Sequence, residues 1–300
     1  MDKATKNIFF LGKGGVGKST SSALTALHLA ESGKKTLLVS LDPAHNQGDI
    51  FEQKFAEKTV KINENLSVKE VEIEVWVKKY LSDIQFQVKR SYSYLTAFNL
   101  EKYLDIIKFS PGIEEYALLM AYKSICEKAK GVDYIIFDMP PTALTLKFLT
   151  LPHLSLLWLD NLMDLRNKII EKRKIITKVK LGKKEIETDK IRNKLNQQIK
   201  EYQEVKAVFE DTNKTCLNLV MNTDKLSSSE SELIVENLSK FNISIKNIFL
   251  NKHLEDFDTQ KIERKYPDCG FQVFPNSKIP LLGVTVLKDY LHSVKSFIEL

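Results

Sequence analysis

The residues Gly12-Lys13-Gly14-Gly15-Val16-Gly17-Lys18-Ser19-Thr20 have the types and spacing needed to hold phosphate. In the pattern G-x-x-x-x-G-K-[ST], glycines let the backbone turn its N–H groups inward onto phosphate oxygens. The lysine reaches the β and γ phosphates, and the next hydroxyl ligates Mg²⁺. Gly12, Gly14, Gly15, Val16, Gly17, Lys18, Ser19 and Thr20 are therefore candidate nucleotide-binding residues, with Lys18 also a catalytic candidate and Ser19 a metal ligand. Two carboxylates, Asp42 and Asp138, close apolar runs further along, and a carboxylate at the C-terminal end of a buried strand is where α/β folds put ligand chemistry. A lone Asp after a strand also serves as a helix cap or turn former, so neither is diagnostic alone. Lys13 is unusual, because an ordinary phosphate loop needs no second lysine directly after its first glycine.

The surrounding periodicity supplies the scaffold. The loop follows the apolar run Ile8-Phe9-Phe10-Leu11 and leads into a helix over Lys18 to Ala30, whose N-terminal dipole faces the phosphates and which Gly33 stops. Buried-strand runs follow at Thr36 to Leu41, ending in Asp42-Pro43-Ala44-His45-Asn46, and at Tyr134 to Asp138, ending in the stiff turn Met139-Pro140-Pro141-Thr142. Further strands are expected at 66 to 73, 215 to 221, 245 to 250 and 271 to 274. Helices are expected from Trp76 to Phe109, Ile113 to Lys130, Ala143 to Leu149, 153 to about 210, Ser229 to Lys240 and Val284 to Ile298. Strands alternating with helices imply an α/β, doubly wound, mostly parallel sheet. The chain reads as a single domain over 1–300, with a helical subdomain from insertions at about 76–130 and 153–210.

Composition excludes several classes. At 300 residues, 43% hydrophobic and 28% charged, the chain is ordinary for a globular protein rather than a disordered one. Its three cysteines, Cys126, Cys216 and Cys269, are far apart, with no C-x-x-C pair to encode a disulfide framework or zinc site. The apolar run before the loop is too short for a signal peptide, and no run approaches the roughly eighteen apolar residues of a spanning helix. A cytosolic location is expected. The net charge of +6 is uneven: Asp164 to Lys200 holds thirteen Lys or Arg against five acids. Such a segment is commonly a solvated helical face, and its functional reading is attraction to an anionic membrane surface or acidic partner. No binding module accompanies the charge, so no nucleic acid is expected.

Taken in order, Lys13 in the loop, Asp42-Pro43-Ala44-His45 after the next strand and Asp138-x-x-Pro141-Thr142 after a third make the chain resemble the ArsA family. That family contains arsenical-pump ATPases and factors that target tail-anchored membrane proteins. Pro111-Gly112-Ile113-Glu114-Glu115, Thr145-Leu146-Lys147-Phe148-Leu149-x-Leu151-Pro152 and Phe249-Leu250-Asn251 extend the resemblance over essentially the whole chain. The resemblance implies a P-loop ATPase using ATP and Mg²⁺ as a homodimer. Lys13 is then the lysine that reaches the partner subunit's nucleotide, where the transition state gathers negative charge. Asp42 is the first-switch carboxylate that orients the attacking water, and Asp138 the second-switch carboxylate that holds Mg²⁺ through water. Asn251 resembles the adenine-recognising asparagine and Pro280 a residue of the adenine pocket, with Asn222 the rival to Asn251. His45 is a structural hydrogen bonder of the switch rather than a base.

The chain also departs from the family pattern. The usual second switch, Asp-Thr-Ala-Pro-Thr-Gly-His-Thr, is here Asp138-Met139-Pro140-Pro141-Thr142-Ala143-Leu144-Thr145, and losing the glycine predicts a less mobile loop. Gly283-Val284-Thr285-Val286 replaces the family's Glu-x-Arg-Gly, and Cys269 stands alone where eukaryotic-type targeting factors have a paired-cysteine zinc site. Arsenite needs several thiolates together, which argues against a metalloid pump. If helical, Leu154 to Leu165 carries two apolar faces, one of Leu154, Leu157, Trp158, Leu162 and Leu165, the other of Leu156, Leu159 and Met163. The second face either lines a groove for a client's transmembrane helix or is buried between neighbouring helices. The expected function is a dimeric Mg-ATP switch that targets tail-anchored proteins. An arsenite or anion pump subunit working on a membrane-bound partner, and a MinD-like or ParA-like positioning ATPase, are the alternatives. The apolar stripe of the last helix is read as core packing before membrane targeting.

Overall fold

A computed structural model describes residues 5–91, 110, 112–180, 189–253, 259–294 and 296–298. The helical pattern expected over 92–109, Pro111, the charged residues Lys183, Lys184, Glu185 and Glu187, and the side chains of 173–180 lie outside the described residues. Eight strands form one sheet: β1 (Lys6–Leu11), β2 (Thr36–Ser40), β3 (Val60–Lys61), β4 (Leu66–Glu70), β5 (Tyr134–Asp138), β6 (Thr215–Met221), β7 (Asn247–His253) and β8 (Gly270–Pro275). Their spatial order is β3-β4-β2-β5-β1-β6-β7-β8, parallel throughout except for the short edge strand β3. This is the α/β architecture of P-loop nucleotidases. The connection out of β1 runs to one side of it while β6 lies on the other, so the loop after β1 sits where α/β sheets open a crevice.

Both faces are covered, and side chains along each strand alternate between two cores. Ile8 and Phe10 point into one layer with Leu38, Ile136, Cys216 and Val220. Phe9 and Leu11 point into the other with Val39, Phe137, Leu217 and Leu219. Helices α1 (Lys18–Glu31), α2 (Asn46–Phe51) and α9 (Val284–Ser293) cover the first face. On the second face lie α4 (Ile113–Lys128), α5 (Thr142–Lys180), α6 (Lys190–Glu210) and α7 (Lys225–Ser239), with α3 (Ile73–Ser91) packed against α4. A short helix, α8 (Gln260–Lys265), precedes β8. The second core is aromatic: Phe9 stacks on Phe137 at 4.9 Å between ring centres, and Tyr122, Phe148 and Phe209 close around them.

Several boundaries differ from those expected. Helix α5 is continuous through Pro152, where separate segments over 143–149 and 153–210 were expected. Proline in a helix interior costs about 3 kcal/mol. Burying Phe148, Leu149 and Leu151 on that helix is worth roughly 1.5–3 kcal/mol each, so packing outweighs the lost hydrogen bond. The strand expected over 66–73 ends at Glu70 and α3 begins at Ile73. The last helix ends at Ser293 rather than Ile298, because the Gln272 side chain takes over the backbone beyond it. Its Nε2 donates to Ser296 O at 3.1 Å, and its Oε1 accepts from Ile298 N–H at 2.9 Å. The apolar stripe of α9 lies on the core: Leu287 and Leu291 are buried, and Phe297 stacks on His28 at 4.0 Å.

The long helix α5 and its antiparallel neighbour α6 are pinned at two points. Arg166 meets Asp189 through two bonds of 2.9 Å, and His153 Nε2 lies 3.0 Å from Glu210. Asp189 also caps α6 by accepting from Ile191 and Arg192 N–H. Its carboxyl is held below the usual range chiefly by the Arg166 guanidinium. Of the two apolar faces expected on 154–165, Leu159 of one is buried. Leu154, Leu157, Trp158 and Leu165 of the other are more than half exposed. The segment Thr142–Lys172 is long and apolar enough to cross a membrane, contrary to expectation, because its most apolar stretch holds almost no charge. It is partly buried against the core.

Candidate functional site

At the C-terminal end of the sheet a cavity of about 620 Å³ opens over the glycine loop. It is lined by the glycine loop, by Asp42, by Asn251 and Lys252 at the end of β7, and by the segment after β8. Helix α1 starts at Lys18 with Gly17 as its N-cap, and its first-turn N–H groups have no partner within the helix, so they form an anion-binding end. Two glycines are required by their surroundings. A Cβ on Gly12, at φ +149°, would lie 2.2 Å from the backbone oxygen of Val220, and one on Gly17, at φ +94°, 2.0 Å from Asn251 Nδ2. The loop is therefore pressed against β6 and β7 and keeps its shape by contact.

The expected phosphate-binding residues come together, each differently placed. Lys18 is buried, and its ammonium donates to Lys13 O at 3.4 Å, which spans the loop. The Lys13 side chain is half-buried and makes no hydrogen bond or ion pair with the described residues. Val16 is buried beneath the loop, and its carbonyl accepts from Asn251 Nδ2 at 2.8 Å. Asn251 thus spends one amide hydrogen holding the loop, although it also borders the cavity. Asn222, its rival, is not among the described residues that line the cavity, and its N–H is taken by Ser227 Oγ at 3.0 Å. Pro280 is exposed, and its neighbours Ile279 and Leu281, rather than its own ring, form the wall.

Asp42 and Asp138 sit on adjacent strand ends, joined by the bond from Leu41 N–H to Asp138 O at 2.9 Å. Asp42 Oδ1 accepts from Ala44 N–H at 3.0 Å, so the carboxylate is fixed by its own turn while still facing the cavity. Asp138 is fully buried. One oxygen, Oδ2, accepts from Gln47 Nε2 at 3.0 Å; the other, Oδ1, has no partner among the described residues. Burial pushes its carboxyl up to about 6, against the nearby Ser19 hydroxyl and the Gln47 hydrogen bond, which pull it down. A buried carboxylate oxygen left without a donor, next to the Ser19 hydroxyl at a helix N-terminus, fits a Mg²⁺ ion that arrives with phosphates. Among the described residues no three His, Cys, Asp or Glu side chains gather into a metal cage.

Four residues have contacts at the site that the sequence reading did not give them. Gln47 links the first switch to Asp138, and Glu70, at the end of β4, accepts from Gly48 N–H at 3.0 Å and so anchors the same short helix. Burial raises the Glu70 carboxyl, with His45 Nδ1 3.7 Å away. Lys252 Nζ donates to Gly15 O at 3.3 Å. Thr142, the second-switch threonine, donates to Glu230 on α7 at 2.6 Å and lies 3.3 Å from Gly12 O. Helix α2 has six residues, too few for its periodicity to be read, and the other contacts join positions far apart in the chain.

The cysteines are dispersed. Cys216 lies in the core layer beneath α1, whereas Cys126 and Cys269 border the opposite layer. Burial pushes the Cys126 thiol up to about 12 and that of Cys216 to about 11.

Against known proteins, the family model for the anion-transporting ATPase matches residues 5–271. The chain is similar to the putative arsenical pump-driving ATPase 2 of Aquifex aeolicus, at 32% identity over 94% of this chain and 96% of that protein. It is similar at 33% to the ATPase ASNA1 homolog 1 of Paramecium tetraurelia, over 94% and 87% of the two chains. Similarity to the ATPase ASNA1 homolog of Cryptosporidium parvum is 31%, over 85% and 67%.

Proposed function

We propose a nucleotide-driven carrier of apolar protein segments for this chain, which belongs to the anion-transporting, ArsA-type, ATPase family and is an ATPase. In this reading it works in the cytosol as a homodimer on ATP with Mg²⁺, and delivers tail-anchored membrane proteins. The glycine loop and the first turn of α1 hold the phosphates, and Lys18 neutralises the β and γ oxygens. Ser19 and Asp138 hold the metal, which when bound screens the phosphate charge. Asp42, fixed by Ala44 N–H, orients the attacking water. Lys13, whose ammonium has no partner among the described residues, extends to the second copy's nucleotide. Phosphoryl transfer to water needs such positioning and charge neutralisation more than a strong base. Asn251 borders the base as well as holding the loop.

One observation carries the client half of this reading: the exposed apolar face and the second switch belong to one helix. Helix α5 begins four positions after Asp138, and the same helix presents Leu154, Leu157, Trp158 and Leu165 to solvent. A shift at the second switch is thereby passed to the apolar face along one helix, through Pro152. The helical block made by α3 to α6 is the client-binding subdomain. Binding of a fluorescent apolar helix of about 20 residues, measured by anisotropy with a non-hydrolysable ATP analogue and with ADP, tests the proposal. Affinity should depend on the nucleotide and fall with Leu157→Ser and Trp158→Ser. Equal binding in both states and in both variants would remove the carrier function. The second reading, a pump-driving ATPase, follows the name of the Aquifex relative and would show arsenite-stimulated hydrolysis. The separation of Cys216 from the other two thiols opposes it.

A further inference from the structure

Gln47 is fully buried, carries no charge and lies on the second turn-forming residue of α2, five positions after Asp42. Its Nε2 faces three acceptors: Ser19 O at 3.1 Å, Ser22 Oγ at 3.1 Å and Asp138 Oδ2 at 3.0 Å. Ser22 Oγ donates its own hydrogen to Ser19 O at 2.9 Å, so it meets Gln47 as an acceptor. The reversed amide would set Oε1 against a carbonyl, a committed hydroxyl and a carboxylate. Only Nε2 inward presents a donor to these acceptors, its two hydrogens being shared among the three. Gln47 Oε1 itself has no partner among the described residues. A buried glutamine with half its amide unsatisfied is costly as mere filler, since leaving a buried acceptor unpaired loses about 1–3 kcal/mol.

We propose that Gln47 is a positioning residue of the metal site: its amide fixes Asp138 Oδ2 so that Oδ1 is presented toward Mg²⁺, and it ties that carboxylate to the first switch. A carboxylate free to rotate about its Cβ–Cγ bond would share its orientations among several, whereas one pinned through Oδ2 holds Oδ1 in a single direction. The helix bearing Gln47 is itself anchored by Glu70 through Gly48 N–H. The water-orienting Asp42, the amide and the metal carboxylate therefore form one connected unit rather than separate parts. Partners of metal-ligating groups of this kind typically change metal affinity about 10- to 100-fold when removed. This inference rests on the metal-holding role of Ser19 and Asp138 proposed above.

The test is calorimetric and needs no turnover. Affinity for a non-hydrolysable ATP analogue is measured with excess EDTA and with Mg²⁺, and the ratio of the two reports the metal's contribution. Gln47→Met, close in volume, should lower that ratio about tenfold while leaving the EDTA affinity unchanged. Gln47→Asn, which keeps the amide but falls short of Asp138, should do the same and stands in if the Met variant fails to fold. An unchanged ratio in both variants overturns the inference. So does an equal loss with and without metal, which would mark a packing role. Asp138→Asn separates the two layers of the argument. If it lowers the ratio and the Gln47 variants do not, the positioning role alone is wrong. If it leaves the ratio unchanged, the metal assignment falls and the role of Gln47 falls with it.

Discussion

Gly17→Ala tests whether the loop is shaped by what presses on it. The residue sits at φ +94°, and an added Cβ would lie 2.0 Å from Asn251 Nδ2, the group that holds Val16 O. Placing a Cβ on left-handed backbone costs about 1–2 kcal/mol. Overpacking adds roughly 1–3 kcal/mol, and expelling the Asn251 amide forfeits about 1 kcal/mol of hydrogen bond. The single variant should therefore lose about 3–6 kcal/mol, a large share of the stability of an ordinary domain. Asn251→Ala alone leaves Val16 O unpaired, at about 1–3 kcal/mol. In the double variant the clash and the lost bond are no longer counted twice. It should then be less destabilised than the sum of the singles by about 2–4 kcal/mol. Equilibrium urea unfolding of the four proteins without nucleotide measures this directly. Additivity within about 0.5 kcal/mol would refute the claim that Asn251 and Gly17 are in forced contact. Gly12→Ala is the contrasting case, because its obstacle is the backbone oxygen of Val220 and no side-chain truncation can relieve it.

Asp42→Asn keeps the Ala44 turn and should bind ATP normally while slowing hydrolysis at least about a hundredfold; an unchanged single-turnover rate would remove Asp42 from the mechanism. Lys13→Ala should cut hydrolysis without shifting thermal unfolding, since its ammonium has no partner among the described residues, and wild-type turnover would dismiss the partner-subunit role. Both the Cys126 and Cys216 thiols are raised by burial, to about 12 and about 11, so at pH 8 each stays protonated in the fold and gains thiolate only above that range. Iodoacetamide at pH 8 should label them only after denaturation, as read by mass spectrometry, and rapid native labelling of Cys216 would contradict the packing.

The strand ends that carry chemistry were readable because each is a short continuous apolar run closed by a carboxylate or glycine. Tyr134–Asp138 and Thr215–Met221 fall where the run alone places them. What could not be read is what depends on partners distant in sequence. The two-residue strand β3 exists only because Val60 and Lys61 meet β4. Pro152 looks like a stop until the burial of its neighbours is known. Gln47 and Glu70 are unremarkable polar letters until the fold brings them to Asp138 and Gly48. The surplus apolar face of 154–165 was legible as a pattern, but which side stayed exposed followed from the packing of α6.

The place of β1 in the sheet has a consequence for how the protein is made. The strand that carries the glycine loop is synthesised well before its neighbours in the sheet, β5 and β6, with Leu11 beside Leu219. At about 5–20 residues per second, a ribosome needs roughly 10–40 s to travel from the end of β1 to the end of β6. Asn251, which props the loop, emerges later still. Over that interval Ile8-Phe9-Phe10-Leu11 is an apolar strand awaiting both of its neighbours, a natural ligand for general chaperones. A nascent chain halted before β7 therefore has the complete phosphate motif, already backed by β6 at Gly12, but lacks the Asn251 amide that holds Val16 O.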